Sequence, residues 1–367
     1  MKKILYTANT DQHINLCHRP YLKLLKEKGH IIHVATNTNV NIDYCDKKIC
    51  IPITRTPYRI SNIKAILDLK KVIEKEKYDL IITNTPMGAF VSRVASIHAR
   101  VKYKTKVIYI AHGFHFYHGC NKLNYIFYYP VEKILSKYTD ILITINEEDY
   151  NFARKHFKTD VRLIDGIGFD SKKFDNALTK IEKFELKQKL GIKDKDYVIT
   201  YVAELSKRKR QAYLIKTLSN MDLKNTKVLL LGGSIIGNKI AKLIKKYRLE
   251  DNIKLLGFVS NVSDILDITD LVISVSKQEG LPLNIMEAMY KNKNILVTDC
   301  RGNRDLIKNN INGIVVPLND KASLINGILK FKNNKFKLSI SNKKISKKYN
   351  INKIIKYYEK VFDEILK

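Results

Sequence analysis

One feature constrains this chain more than any other: short apolar runs alternate with stretches whose apolar residues fall three or four apart. Lys3–Thr7, Ile31–Ala35, Asp79–Thr83, Val107–Ala111 and Asp140–Ile145 read as strands. A helical face at Tyr21, Leu22, Leu24 and Leu25, then Ile63–Glu76, Gly88–His98 and Lys122–Tyr138, read as the helices between them. The strands are apolar throughout rather than at every second residue, which marks strands covered on both faces. Strands alternating with helices build βαβ units around a parallel sheet. The pattern pauses at Asp165–Asn176, where glycines and charges replace periodicity, and then restarts. Tyr197–Ala203, Lys227–Leu231, Ile253–Leu256, Leu271–Val275, Asn294–Thr298 and Gly313–Val316 read as a second set of strands. Helices are expected at Arg210–Leu218, Ile240–Tyr247, Val262–Leu266, Leu283–Tyr290 and in the tail. The expected class is α/β, with two similar parallel-sheet domains covering 1–175 and 176–351. Ligands of such sheets sit beyond the carboxyl ends of the strands, so two facing halves place a cleft there.

Composition removes several classes. The 367 residues are 45% hydrophobic and 28% charged, which excludes a disordered tail, a collagen or a small disulfide scaffold. No apolar run approaches the roughly 18 residues that span a bilayer. The basic start Met1-Lys2-Lys3 meets polar residues at once, without the apolar core of a signal peptide, so a cytoplasmic protein is expected. Lys+Arg 67 against Asp+Glu 36 gives +31, a field that attracts polyanions. The lysines are nevertheless spread along the whole chain. Compositional bias with mild selection for anionic surfaces explains that better than dedicated nucleic-acid binding. Cys17, Cys45, Cys50, Cys120 and Cys300 are scattered without a C-x-x-C pair and read as free thiols, consistent with a reducing compartment.

The segment richest in chemistry runs from Ser274 to Met289. A strand ends, a loop carries Glu279-Gly280, and Pro282 stands where a first helical residue would, a position that suits a residue without an N–H. Gly280 allows close approach to the backbone, and amides at a helix start bind anions. Glu279 and Glu287 can accept hydrogen bonds from hydroxyls. Phosphate-binding amides beside two such carboxylates suit a nucleotide-sugar. Either glutamate taken alone reads as a surface or helix-end charge.

This segment resembles the E-x7-E signature of family 4 retaining glycosyltransferases, which have the GT-B architecture of two facing Rossmann-like domains. Further stretches match in order: Asp165-Gly166-Ile167-Gly168-Phe169-Asp170 with Phe174, Leu255–Val259, Asp270, Thr298–Asp305 and Asn312–Pro317. His112–Gly119, Tyr128–Lys133 and Thr144–Asp149 resemble the bacterial branch that builds capsular and exopolysaccharide repeat units. The resemblance implies an acceptor-binding first domain, rejoined by a last helix at about 352–367, and a nucleotide-sugar-binding second domain. It implies that Glu279, with the amides of Gly280 and Leu281, holds donor-sugar hydroxyls, and that Glu287 holds the ribose. Lys209 would lie on the diphosphate, where a fixed cation stabilises the leaving group. Gly257 and Phe258 would lie beside the nucleobase, and His112 near the transferred sugar. A histidine at a strand end is also a common structural hydrogen-bonder.

Two departures stand out. Glu204 replaces the family's usual arginine; it is expected to turn away, leaving Lys209 with Lys207 or Arg208 to supply charge. The loop Asn9–Asn15 lacks the usual glycines, and His13 reads as a loop histidine on the acceptor or diphosphate side. No cofactor and no metal are expected, because no D-x-D stands at a strand end. Asp194-Lys195-Asp196 has the letters but sits in a Lys-rich turn and reads as solvated. Gly232-Gly233-x-x-x-Gly237 lacks the dinucleotide spacing and reads as a tight turn.

The implied reaction transfers a sugar from a nucleotide-sugar, expected to be UDP-linked, to an undecaprenyl-diphosphate-linked saccharide. No residue is an obvious nucleophile; the family's usual explanation is same-face attack, in which the leaving phosphate helps deprotonate the acceptor. Tyr125, Phe127, Tyr128 and Tyr129 beside Lys122, Lys133 and Lys137 have two readings: a seat on an anionic inner-membrane surface, or core aromatics beside solvated lysines. The competing functions are a UDP-sugar epimerase of similar fold and a basic nucleic-acid-binding protein; no nucleic-acid motif appears.

Overall fold

The computed structural model describes residues 1–233, 235–336 and 338–367. The chain divides into two compact units, Met1–Gly168 with Ile351–Lys367, and Phe169–Asn350.

Among the described residues, the first unit has seven parallel strands: β1 (Lys3–Thr7), β2 (Ile31–Thr36), β3 (Lys47–Cys50), β4 (Leu80–Asn84), β5 (Lys106–Ala111), β6 (Ile141–Thr144) and β7 (Asp160–Leu163). Their order is β3-β2-β1-β4-β5-β6-β7. The central strands are apolar because helices cover both faces: Ile4, Leu5, Ile81, Ile82, Ile108 and Ile110 are all buried. Each such side chain contributes about 1.5–3 kcal/mol by leaving water. The direction of winding reverses between β1 and β4, so their carboxyl ends flank the crevice in which this topology binds ligands. There the Thr85 hydroxyl donates to Asn9 Oδ1 at 2.9 Å. The helix Pro86–Lys102 starts beside it.

The helix Ile351–Leu366 belongs to this first unit. It buries Ile354, Tyr358, Val361 and Phe362. Tyr358 packs at a tilt against Tyr21 of the helix Arg19–Glu27, with centroids 4.3 Å apart. Lys28 adds ion pairs to Glu359 at 3.0 Å and Asp363 at 2.8 Å.

The second unit holds, among its described residues, six parallel strands: β8 (Tyr197–Val202), β9 (Thr226–Leu231), β10 (Ile253–Gly257), β11 (Leu271–Ser274), β12 (Asn294–Thr298) and β13 (Ile314–Val316). The order β10-β9-β8-β11-β12-β13 repeats the winding of the first sheet, with its reversal between β8 and β11. The chain enters this unit at Phe169, whose N–H donates to the Tyr349 carbonyl at 3.0 Å.

Elements outside the sequence expectation include the helices Asp11–Cys17 and Lys180–Lys189. β3 and β7 are edge strands with charged residues and half-buried or exposed positions, so no apolar run announces them. The helix Glu147–His156 buries only Asp149 and Ala153. What specifies it is a cap and a charge gradient. The Asn146 side chain accepts from the Asp149 N–H, three acids fill the first turn, and Arg154, Lys155 and His156 fill the last.

Candidate active site

In the second unit the site grows from the two strands that flank the reversal. β8 runs into the loop that carries Arg208 and Lys209, and β11 into the loop that carries Glu279. Lys277 N–H donates to the Arg208 carbonyl at 3.0 Å and ties the loops together. Glu279 is buried, and its carboxylate accepts from Lys209 Nζ at 2.5 Å and from Arg208 at 3.1 Å. Arg208 also reaches the Gln278 carbonyl at 3.0 Å. Burial pushes the Glu279 carboxyl up, but the charges of Lys209 and Arg208 and the hydrogen bonds from Lys209 and Ser276 outweigh it and hold it below its ordinary value.

A polar scaffold fixes this arrangement from beneath. Tyr201 OH donates to the Lys209 carbonyl at 2.8 Å and bonds Ser276 Oγ at 2.9 Å. Thr298 Oγ1 donates to the Ser276 carbonyl at 2.6 Å. Arg301, almost fully buried, donates from Nε to the Glu279 carbonyl at 3.1 Å. Gly302 has φ +81°, and a Cβ there would lie 2.4 Å from the Gly280 carbonyl oxygen, so no larger residue fits.

Glu287 lies on the helix Leu283–Tyr290. Burial pushes its carboxyl up to about 7, with Lys173 pulling the other way. Pro282 is the cap residue just before this helix rather than its first member. The amides that follow are among those any helix start leaves without intrahelical partners. The Leu281 side chain is buried, so its backbone is what it offers to a ligand. Asn284 anchors the helix by donating to the Val202 carbonyl at 2.8 Å.

Gly257 ends β10 with φ +66°, and its carbonyl accepts from Gly232 N–H at 2.6 Å. Phe258 follows with 82% of its surface exposed, which is unusual for a phenylalanine. Gly232 has φ +140° and lies close against Ala203; the stretch read as a tight turn includes Ser234, which lies outside the described residues. Glu204 is exposed. Asp196 corrects the sequence reading. It is buried rather than solvated, and clasps its own turn by accepting from Lys193 N–H at 2.8 Å.

In the first unit, His112 follows β5, and His13 is on the helix Asp11–Cys17 rather than in a loop. The two rings meet edge to face with centroids 4.6 Å apart. A third histidine, His18, brings its Nε2 within 3.0 Å of His112 Nε2. Burial lowers the pKa of all three. His13 is pushed down to about 4 by burial and Arg55; His18 and His112 are held well below the ordinary value by burial and by neighbouring imidazoles. A cavity of about 510 Å³ opens beside them, lined among others by Asn9, His13, Arg55, Phe116, Tyr128 and Glu132. Glu132 is fixed by buried Arg93 at 2.8 Å.

On the aromatic helix Lys122–Ser136 the core reading holds for three of the four aromatics. Tyr125, Tyr128 and Tyr129 pack inward against the cluster of Phe114, Phe116 and Phe157. The exposed apolar residues are instead Leu123, Ile126, Phe127, Val131 and Ile134, spaced as one helical stripe. Among the described residues no helix is long and apolar enough to cross a membrane.

Sequence reasoning missed His18, Tyr201, Ser276, Asn284 and the structural part of Arg301. Arg301 stands within the stretch Thr298–Asp305, but nothing in the letters signals its burial.

Two family models match this chain. Residues 3–146 match the one described as Glycosyl transferase 4-like, and residues 182–358 the one described as Glycosyl transferases group 1. The protein named "Putative glycosyltransferase EpsD" of Bacillus subtilis (strain 168) is 36% identical over 326 residues, covering 88% of this chain and 85% of that protein. An Escherichia coli enzyme is named UDP-Gal:alpha-D-GlcNAc-diphosphoundecaprenol alpha-1,3-galactosyltransferase. It is 30% identical over 335 residues, covering 88% of this chain and 84% of that enzyme. The crystal structure of Anabaena Alr3699/HepE in complex with UDP and glucose superposes with a TM-score of 0.79 at 19% identity, over 99% of this chain and 100% of that one. Identity of this extent along nearly the whole chain, on a shared fold, makes the protein a member of the group 1, 4-like glycosyltransferases, with the GT-B architecture.

Proposed function

We propose that this enzyme is a retaining transferase that moves a sugar from a UDP-linked donor to an undecaprenyl-diphosphate-linked saccharide during assembly of a surface polysaccharide repeat unit. The observation that carries the reading is the buried Glu279 carboxylate held between Lys209 and Arg208, where β8 and β11 end. A cation pair beside a fixed carboxylate matches a diphosphate beside sugar hydroxyls.

The second unit binds the donor. Lys209 and Arg208 neutralise charge that builds on the leaving diphosphate, an effect worth roughly 10²–10³ in rate for a well-placed donor group. Glu279, with the amides of Gly280 and Leu281, orients the transferred sugar. Glu287 takes the ribose hydroxyls, and the base packs near Gly257 and exposed Phe258. Glu279 spends its oxygens on two cations, so it is a poor nucleophile, and attack on the donor face that the leaving group vacates is the favoured route. UDP is the expected carrier because the Escherichia coli relative is named for UDP-Gal and the Anabaena structure for UDP and glucose.

The first unit binds the acceptor, with His112 near the transferred sugar and His13 and Arg55 at the rim of the cavity. The lipid carrier is proposed from the diphosphoundecaprenol in that relative's name. The stripe Leu123, Ile126, Phe127, Val131 and Ile134, with Lys122 and Lys133 on the same helix, suits an anionic inner-membrane surface.

The test incubates the protein with UDP-hexoses, UDP-N-acetylhexosamines and GDP-mannose, and with a polyprenyl-diphosphate-linked acetamido sugar as acceptor. Transfer from a UDP-sugar with the anomeric configuration kept, read by NMR, is expected. Inversion would overturn the retaining mechanism. Isomerisation of the donor without any acceptor would indicate an epimerase.

A further inference from the structure

His13, His18 and His112 bring one ring nitrogen each within 4.8 Å of the others. His13 and His18 come from one short segment: His13 lies on the helix Asp11–Cys17, and His18 is the residue at which that helix hands over to Arg19–Glu27. His112 arrives from the end of β5. Among the described residues this is the one group of three or more histidines, cysteines or carboxylates gathered closely enough to hold an ion.

The hydrogen-bond inventory of the cluster is incomplete. His18 is fully buried and its Nδ1 has no partner; His13 Nε2 is likewise buried without one. The Nε2 atoms of His18 and His112 face each other at 3.0 Å, so one must donate to the other. Each neutral imidazole offers one donor and one acceptor, and no tautomer of this pair supplies a partner for His13. A buried nitrogen left unsatisfied is costly, and such a group calls for an explanation such as an ion or a catalytic part.

We propose that His13, His18 and His112 form a site for a divalent transition-metal ion of the zinc type. Neutral imidazole is a preferred ligand of Zn²⁺, at nitrogen distances of about 2.0–2.1 Å, and three histidines with an open fourth position are an established ligand set. Two ligands of a tetrahedral ion at those distances stand roughly 3.3 Å apart. The His18 and His112 Nε2 atoms already have nearly that separation. His13, whose ligand nitrogen lies within 4.8 Å of the other two, closes the set by moving toward them on its helix. The positive neighbour of the cluster is Arg55, which opposes a cation and limits affinity. The open position belongs to the side of His13, which lines the cavity, so water or a small anion completes the coordination there.

The test is equilibrium dialysis of the intact chain, first stripped with a chelator, against Zn²⁺ alone and Co²⁺ alone. Wild type is expected to retain one ion per chain, and the cobalt form to show the strong visible absorption of a tetrahedral site. His18→Gln and His13→Gln are each expected to weaken retention by about 100-fold or more, since even an outer-shell partner accounts for 10–100-fold. His13 is only partly buried, so its variant keeps the test decisive should His18→Gln fail to fold; circular dichroism melting verifies both. No stoichiometric retention by wild type, or retention unchanged in a folded His13→Gln chain, would overturn the proposal and leave a hydrogen-bonded imidazole cluster.

Discussion

Lys209 Nζ lies 2.5 Å from Glu279 Oε1, so the cation proposed for the diphosphate and the carboxylate proposed for the sugar form one hydrogen-bonded unit. Both side chains are largely buried, at 12% and 6% exposure, and the neighbouring Arg208 side chain is 47% exposed. Lys209 is therefore the partner that keeps Glu279 ionised, and Arg208 the one screened by water.

Removing that partner has a defined sign. The Glu279 carboxyl is lowered in the folded chain, so its contribution to stability is present above the ordinary glutamate value of about 4.3 and is lost as pH falls through the folded value. Lys209→Met leaves the carboxylate buried beside Arg208 alone and costs about 3 kcal/mol at neutral pH. The deficit shrinks in acid, where the carboxyl protonates. Denaturant unfolding of both chains across pH 4–8 checks it. The turnover of Lys209→Met should fall by roughly 10²–10³.

Glu287 carries the opposite sign. Its folded-state value is raised to about 7, so the folded chain loses stability as pH rises from the unfolded value toward 7 and no further above it. Glu287→Gln removes that loss. The variant is expected to match wild type in acid and to exceed it above pH 7 by up to about 3 kcal/mol, since each pKa unit is worth 1.36 kcal/mol. A stability difference independent of pH would contradict the raised value.

Gly302→Ala tests the backbone contact under the Glu279 loop. The left-handed φ of +81° and the 2.4 Å approach of a Cβ to the Gly280 carbonyl leave no room for a methyl group. A loss above about 1 kcal/mol is expected, because strain and overpacking add. UDP affinity should fall with it, whereas a shift in melting alone would separate the loop from the donor site.

Phe127→Glu addresses membrane attachment. The side chain is 52% exposed on the stripe that includes Ile126 and Ile134, so folding stability should change little. Association with vesicles of anionic phospholipid should weaken about tenfold or more, the equivalent of losing one buried aromatic side chain. Unchanged co-sedimentation would remove this helix from the attachment surface.

Much of this was legible in the letters, for physical reasons that differ by element. Central strands such as Leu80–Asn84 and Leu271–Ser274 are buried on both faces, and continuous apolar runs follow directly. Glu279 and Glu287 stand out as candidates in the letters because a strand, a loop and a helix start recur there in a resembling pattern. The edge strand Lys47–Cys50 was not, since half its residues meet water. Nor was the clustering of His13 and His18 with His112: residues 94 positions apart are brought together only by the β1 and β5 ends of a folded sheet. Tyr128 had two readings in the letters, membrane seat or core, and only the fold decides between them: the helix turns it inward and gives the outer stripe to Phe127.

The central claim is a UDP-sugar site that includes Glu287, and calorimetric titration with UDP tests it most directly. Wild type and Glu287→Ala would be titrated under the same conditions, with GDP and a short single-stranded DNA as controls. Saturable UDP binding, preferred over GDP and at least about tenfold weaker in Glu287→Ala for the loss of the hydrogen bonds proposed to the ribose, is the expected result. No UDP binding, together with tight salt-sensitive binding of DNA, would contradict the account and make the net charge of +31 the better guide to function.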